Sequence, residues 1–304
     1  MTEATITVDG GRTTSAAPAA PRRRRPLPAW LGLLPFVGFL CLFLLLPTWG
    51  VVKRSLTDGE GAFSTSALTE AISDERQAFI GSLKLSFVTA LLGVVFGALL
   101  AYAAATATRP RWLRSLVTAF SGVAANMGGV VLAFLFITLL GRQGLGTKVL
   151  KEGVGFDLYG TGWFDLSGFW GWVTVYLYFQ IPLMVLVTLP SIDGLKPAWR
   201  EASANLGGTT WTYWRRVGLP VLAPSLLGGF LLLFANAFSA YATVFALNTQ
   251  ANVVPVKISF MLRSDVGGRT VTPYALATWM IVVIGFAMGG YLLLRRRAER
   301  WQQS

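Results

Sequence analysis

The feature that most limits what this chain can fold into is a set of six long stretches without one charged side chain. They are Pro26–Val52, Leu85–Thr108, Ser115–Gly141, Leu166–Ile192, Val217–Val256 and Thr270–Leu294. Each exceeds the roughly 20 residues that a helix needs to cross about 30 Å of hydrocarbon. In lipid only helices and closed barrels satisfy their own backbone groups, and these runs are continuous where a barrel strand would alternate. Composition agrees: 54% of residues are hydrophobic, 13% are charged and mean hydropathy is +0.57. A soluble domain carries about 25% charged residues. The sequence therefore predicts an all-α, polytopic membrane protein with six transmembrane helices. The fifth stretch reads as one helix over about 221–247, because Asn248, Thr249, Gln250 and Asn252 turn the remainder polar.

Six crossings put both ends of the chain on one side, and the positive-inside rule says which. The side holding the N-terminus collects Arg12, Arg22 to Arg25, Arg109, Arg111, Arg114, Lys196, Arg200, Arg215, Arg216 and Arg295, Arg296, Arg297 and Arg300. That is sixteen basic residues against nine opposite, with Lys84 at a boundary. Both termini are expected in the cytoplasm, and the net charge of +12 is topology rather than a nucleic-acid surface. Residues 1–28, rich in Ala, Thr, Pro and Arg, read as a disordered cytoplasmic tail, and residues 29–304 as the transmembrane domain. The first apolar run is too long for a signal-peptide core and no small-x-small site follows it, so it is an uncleaved helix. Pro35 and Pro47 within it are tolerable where neighbours re-satisfy the freed carbonyls. The absence of histidine excludes His-based triads and His-ligated metals, and the lone Cys41, read as packing, excludes internal disulfides.

Residues 191–220, between the fourth and fifth spans, form the longest connection on the cytoplasmic side. Their punctuation describes two short helices. Pro197 suits a first helical turn, with Glu201 early enough to meet the positive end of the dipole. Gly207 and Gly208 suit a left-handed cap and a sharp break. Thr209 or Thr210 can cap a second helix through Trp211, Tyr213, Trp214 and Arg215, ended by Gly218 and Pro220. With Trp199, Trp211 and Trp214 exposed to the cytosol, the pair is either a docking surface or an interfacial helix seated among headgroups.

Glu201-Ala202-Ser203, three residues, Gly207, nine residues, then Val217-x-Leu219-Pro220 resembles the EAA loop of inner-membrane permease subunits of binding-protein-dependent ABC importers. Ser203 replaces an alanine and Val217 an isoleucine. Gly81-Ser-Leu-Lys-Leu-Ser86 is similar to the N-S-L-x-L-S opening of span two in these permeases, with Gly81 where asparagine is usual. The resemblance runs in order over about residues 30–295. It implies a type I importer permease architecture and a prokaryotic inner (plasma) membrane location. It also implies a second permease subunit, same or different, a cytosolic ABC ATPase dimer docked on the EAA loops, and an extracytoplasmic substrate-binding protein. On this resemblance Glu201 pairs with a basic residue of the ATPase, Ala202 permits close contact, Gly207 allows the bend and Leu219-Pro220 fixes how the loop enters span five. Asn205-Leu206-Gly207-Gly208 is closer to the form in polyamine, phosphonate, iron(III) and sulfate permeases than to the sugar-type turn. The stretch 125–134 resembles the polyamine or aminoethylphosphonate branch.

ATP hydrolysis is not expected of this chain, which lacks a G-x-x-x-x-G-K-[ST] loop; the glycines of 141–146 more simply turn the chain outside the membrane. No cofactor or metal is called for, and lipid but no nucleic acid is an expected partner. Gly93-x-x-x-Gly97 is either a close-packing face or ordinary small residues of a bundle. Asn126, Gln180, Asn236, Ser239 and Tyr241 are polar residues inside the spans, and each either bonds a neighbouring helix or lines a translocation path. The resembled family favours Asn236, since span five lines the path there. An ion-coupled secondary transporter would place ionisable groups in its spans, and none lies in the six stretches. A membrane enzyme would need a catalytic set that the loops do not supply.

Overall fold

The computed structural model describes residues 33–57, 62–107, 111–160, 162–265 and 270–303. The tail expected over residues 1–28 lies outside the described residues. By its internal contacts the chain divides into two units, Met1–Thr48 and Trp49–Ser304. In the first, α1 (Leu34–Leu40) runs into a π-helical turn, Cys41–Leu45, which leads to α2 (Leu46–Ser55). No side chain from Leu34 to Leu45 is buried, Cys41 included.

The second unit continues with α3 (Ser66–Asp74), α4 (Arg76–Thr106), α5 (Arg111–Ala124), α6 (Gly129–Leu140), α7 (Leu145–Gly153) and α8 (Phe169–Asp193). There follow α9 (Pro197–Asn205), α10 (Thr210–Tyr213), α11 (Leu219–Ser239), α12 (Ala242–Leu247), α13 (Val254–Ser264) and α14 (Thr272–Gln303). The described chain is all-α apart from an isolated bridge between Thr57 and Phe63, and six of its helical runs are long and apolar enough to cross a membrane.

The core is built on α8, whose Val173, Val175, Tyr176, Phe179, Gln180, Met184 and Val185 are all buried. Apolar attraction does little to hold helices together in lipid, so close approach must do it. The contact face of α4 is rich in small residues, with Ser82, Ser86, Thr89, Gly93 and Gly97 spaced three or four apart beside the buried Leu85. A Cβ on Gly93 would meet both Gln180 Cβ and Leu233 Cδ1 at 3.2 Å, so α4, α8 and α11 converge there. The glycine pair is a close-packing face. Gly81 has a similar cause: a Cβ there would lie 2.5 Å from the carbonyl oxygen of Asn252, which leaves no room for an asparagine side chain.

Two spans differ from the sequence reading. The third stretch is not one helix: α5 ends at Ala124 and α6 starts at Gly129, whose φ of +74° no helix continues through. The fifth also breaks. Ala240 turns extended after α11, and α12 begins at Ala242.

The second helix of the 191–220 loop, by contrast, does not stop at Gly218 and Pro220. α10 passes through a π-helical turn, Trp214–Gly218, directly into α11, giving a 30-residue helical rod from Thr210 to Ser239. The reason is local. Proline lacks an N–H and its ring collides with the carbonyl four residues back in a regular helix. Here the turn widens just before Leu219-Pro220, and Leu219 N–H bonds Trp214 O five residues back. The same device precedes Leu46-Pro47, where Leu46 N–H reaches Cys41 O. Gly218 gives room to the Trp214 ring, since a Cβ there would lie 2.6 Å from Cε3.

Candidate coupling loop and pathway residues

The loop between α8 and α11 is assembled by local rules. Pro197 occupies the first turn of α9, where its missing N–H costs nothing. Glu201 is the fifth residue of α9, not the first turn, so the dipole adds little to it; its side chain is exposed. The C-terminus closes as a Schellman motif: Gly208 N–H bonds Ser203 O and Gly207 N–H bonds Ala204 O, both at 2.9 Å. Gly207 has φ +76°, a conformation that costs glycine nothing. Gly208 is needed as well, because a Cβ there would lie 2.8 Å from Ser203 O. Thr209 then caps α10, its Oγ1 accepting from Thr212 N–H at 3.3 Å.

The two short helices enclose a cleft of about 600 Å³ lined by Lys196, Trp199, Ala202, Leu206, Arg216 and Val217, among others. Leu206 and Trp211 stand in the open, 89% and 71% exposed. Trp214 is anchored instead, edge-on to Tyr102 of α4 at 5.2 Å between centroids. Arg114 of α5 pairs with Asp193 at the end of α8, and Ser191 Oγ bonds Ser225 Oγ of α11 at 2.8 Å. The loop is thus tied to the ends of α4, α5, α8 and α11 while one side remains free.

The polar span residues divide into two groups. Gln180 has no exposed surface; its Nε2 donates to Thr89 Oγ1 at 3.0 Å, and Thr89 passes its own hydrogen to Leu85 O at 2.8 Å. Gln180 Oε1 has no partner. This is a bond between α4 and α8.

Asn126, Ser239 and Tyr241 sit instead at the two helix breaks, with Asn236 one turn before the second. Asn126 is exposed and its Nδ2 donates to Gly122 O at 2.9 Å. The two breaks are joined: Gly129 N–H donates to Thr243 Oγ1 at 3.0 Å, and Thr243 Oγ1 donates to Gly129 O at 3.3 Å. Two tyrosines of α8 hold them from the other side. Tyr176 Oη donates to Ala240 O at 3.0 Å, and Tyr178 Oη to Met127 Sδ at 3.5 Å. Sequence reasoning missed Thr243, Tyr176 and Tyr178. The adjacent Gly128-Gly129 was the available signal for the first break.

These features define a helical transport subunit with broken spans and an exposed helix–turn–helix between the fourth and fifth crossings. A family model described as binding-protein-dependent transport system inner membrane component matches residues 93–298, and the chain belongs to this family. It is therefore the permease subunit of an ABC importer, a multi-pass inner-membrane protein that transports rather than catalyses. The chain is 27% identical over 228 residues to the sulfate transport system permease protein CysT of Escherichia coli, covering 73% of this chain and 76% of that one. It is 23% identical over 235 residues to the molybdenum transport system permease protein ModB of Escherichia coli, covering 74% and 97%. To the spermidine/putrescine permease protein PotC of Haemophilus influenzae it is 26% identical over 117 residues, 38% of this chain and 44% of that one. In fold it matches a chain of a bacterial ABC transporter that imports alginate, with a TM-score of 0.65 and 18% identity over 88% of this chain and 95% of that one.

Proposed function

We propose that the 191–220 loop receives a cytosolic ATPase and transmits its closure to the translocation pathway, with both termini in the cytoplasm. The observation that carries this reading is mechanical. A load on α10 meets no break in the backbone before the membrane, because α10 and α11 are one helical rod about 45 Å long that ends at the break beside Tyr241. In this reading Glu201 pairs with a basic residue of the ATPase, while Ala202 and Ser203 let the surfaces approach. Gly207 sets the angle between the helices, and Val217, Leu219 and Pro220 shape the π-turn that carries force into span five. A second permease subunit, same or different, completes the pathway, and a binding protein delivers the solute. Residues 29–304 act as one transmembrane domain carrying this loop.

The path itself is assigned to the joined breaks, since irregular backbone at membrane depth is tolerated where it is packed in protein or lines a wet cavity. Asn126, Asn236, Ser239 and Tyr241 then line it, and Gln180 braces α4 against α8. The solute is small: a polyamine, an aminoethylphosphonate or a similar compound. Six spans without a carboxylate suit the phosphonate end of that range better than a polycation, as do relatives named for sulfate and molybdenum.

The test is co-purification with the partner ATPase, and ATP-driven uptake in proteoliposomes, for Glu201→Ala and Gly207→Asp. Both variants are expected to lose ATPase or to hydrolyse ATP without uptake. Normal assembly and normal uptake in both would remove the coupling role.

A further inference from the structure

Arg263 lies in the last turn of α13. Its guanidinium stands over the Phe245 ring, 5.2 Å from the centroid, and its Nη2 donates to Tyr241 Oη at 3.5 Å. Tyr241 in turn stacks on Phe245 with centroids 5.1 Å apart and shares a 2.8 Å hydrogen bond with Ser259 Oγ. One cation is thus pinned by the face of one aromatic ring and a hydroxyl network, and none of these groups is a carboxylate.

Three other cations outside the spans at this end of the molecule are ion-paired instead. Arg142 meets Asp165, Lys151 meets Asp157 and Lys257 meets Glu75. Arg263 makes no ion pair among the described residues. Asp265, two residues on, accepts the Thr270 N–H at 2.9 Å. Among the described residues, the charge of Arg263 is held in place without a carboxylate partner.

Its position gives that charge a use. Tyr241 occupies the break after α11, and Thr243 ties this break to Gly129 at the break in span three. A guanidinium offers five N–H donors in a planar fork; one goes to Tyr241 and the ring of Phe245 covers one face, while the side chain remains exposed. The free edge fits two oxygens of a tetrahedral or planar oxyanion in the bidentate manner that lysine cannot copy. A polycation would be repelled at the same point.

We propose that Arg263, braced by Tyr241, Phe245 and Ser259, is the receiving site for an oxyanion at the outer mouth of the pathway; this rests on the pathway lying at the joined breaks. The test uses the complete transporter, with its ATPase and binding protein, in proteoliposomes. The probes are sulfate, molybdate, 2-aminoethylphosphonate and spermidine. Wild type is expected to accumulate at least one of the three anions. Arg263→Gln raises its half-saturation concentration about tenfold or more, and Arg263→Lys restores only part of the loss. Lys84→Gln, which removes an exposed charge elsewhere on α4, leaves uptake unchanged. Half-saturation within twofold of wild type in Arg263→Gln would overturn the site, as would an equal loss in Lys84→Gln or accumulation of spermidine alone or of none of the four. Co-purification of the ATPase with wild type, scored in the same preparations, tells a failed site from a failed importer reading.

Discussion

Met184 of α8 lies so close to Gly97 of α4 that a Cβ on the glycine would sit 2.5 Å from the Met184 Cβ and 2.9 Å from Ile181 O. Both obstacles are fixed to the backbone, so no side-chain swing relieves them. Gly97→Ala is expected to cost about 1–3 kcal/mol by forcing the helices apart. Gly122→Ala in α5 meets nothing within 4 Å and serves as its control. Thermal unfolding midpoints in detergent check this, with the first variant lowered and the second unchanged or slightly raised. Equal midpoints would mean that α4 and α8 are not packed as described.

Gly207 and Gly208 are expected to fail for different reasons. Gly207→Ala strains a backbone at φ +76° by about 1 kcal/mol, whereas Gly207→Asn tolerates that conformation better. Gly208→Ala instead pushes against Ser203 O and opens the cap from outside. ATP hydrolysis per solute imported should rise in Gly207→Ala and Gly208→Ala and stay near wild type in Gly207→Asn. A ranking in which asparagine is worse than alanine would contradict the left-handed cap.

How much of this was legible follows from what each feature asks of the sequence. Charge-free length marks a span whatever its fine structure, so the number of crossings could be read directly. The cap at Gly207 was legible because a left-handed residue needs glycine, and Pro197 because only a first turn accepts it. The breaks at 125–128 and 240–241 were not, since their backbone groups are satisfied by Thr243 and Tyr176 from distant elements. A break whose backbone groups are paired by side chains of other helices needs no polar run of its own. The π-turn at Trp214–Gly218 misled for a related reason: Gly-x-Pro normally ends a helix, and here one extra residue in the turn accommodates it.

Gln180 is expected to be dispensable for transport despite its depth. Its amide makes one bond, to Thr89, while Oε1 has no partner, so Gln180→Leu exchanges a modest gain for relief of a buried orphan. Stability should change by less than about 1 kcal/mol and solute uptake should be retained. Loss of uptake with stability intact would move Gln180 from bracing α8 to lining the path.

Thr243 is the opposite case, because its hydroxyl in α12 pairs both the N–H and the C=O of Gly129 at the start of α6. Thr243→Val keeps the shape and removes the acceptor for Gly129 N–H, a part-buried donor at the start of α6. An unsatisfied buried donor costs about 1–3 kcal/mol, and here the cost falls on a hydrogen bond that joins the break in span three to that in span five. Thr243→Ser retains the hydroxyl and should recover most of the stability. If the joined breaks move together during transport, Thr243→Val lowers ATP-driven uptake more than it lowers the unfolding midpoint, and Thr243→Ser restores both. Wild-type uptake in Thr243→Val would show that spans three and five open independently.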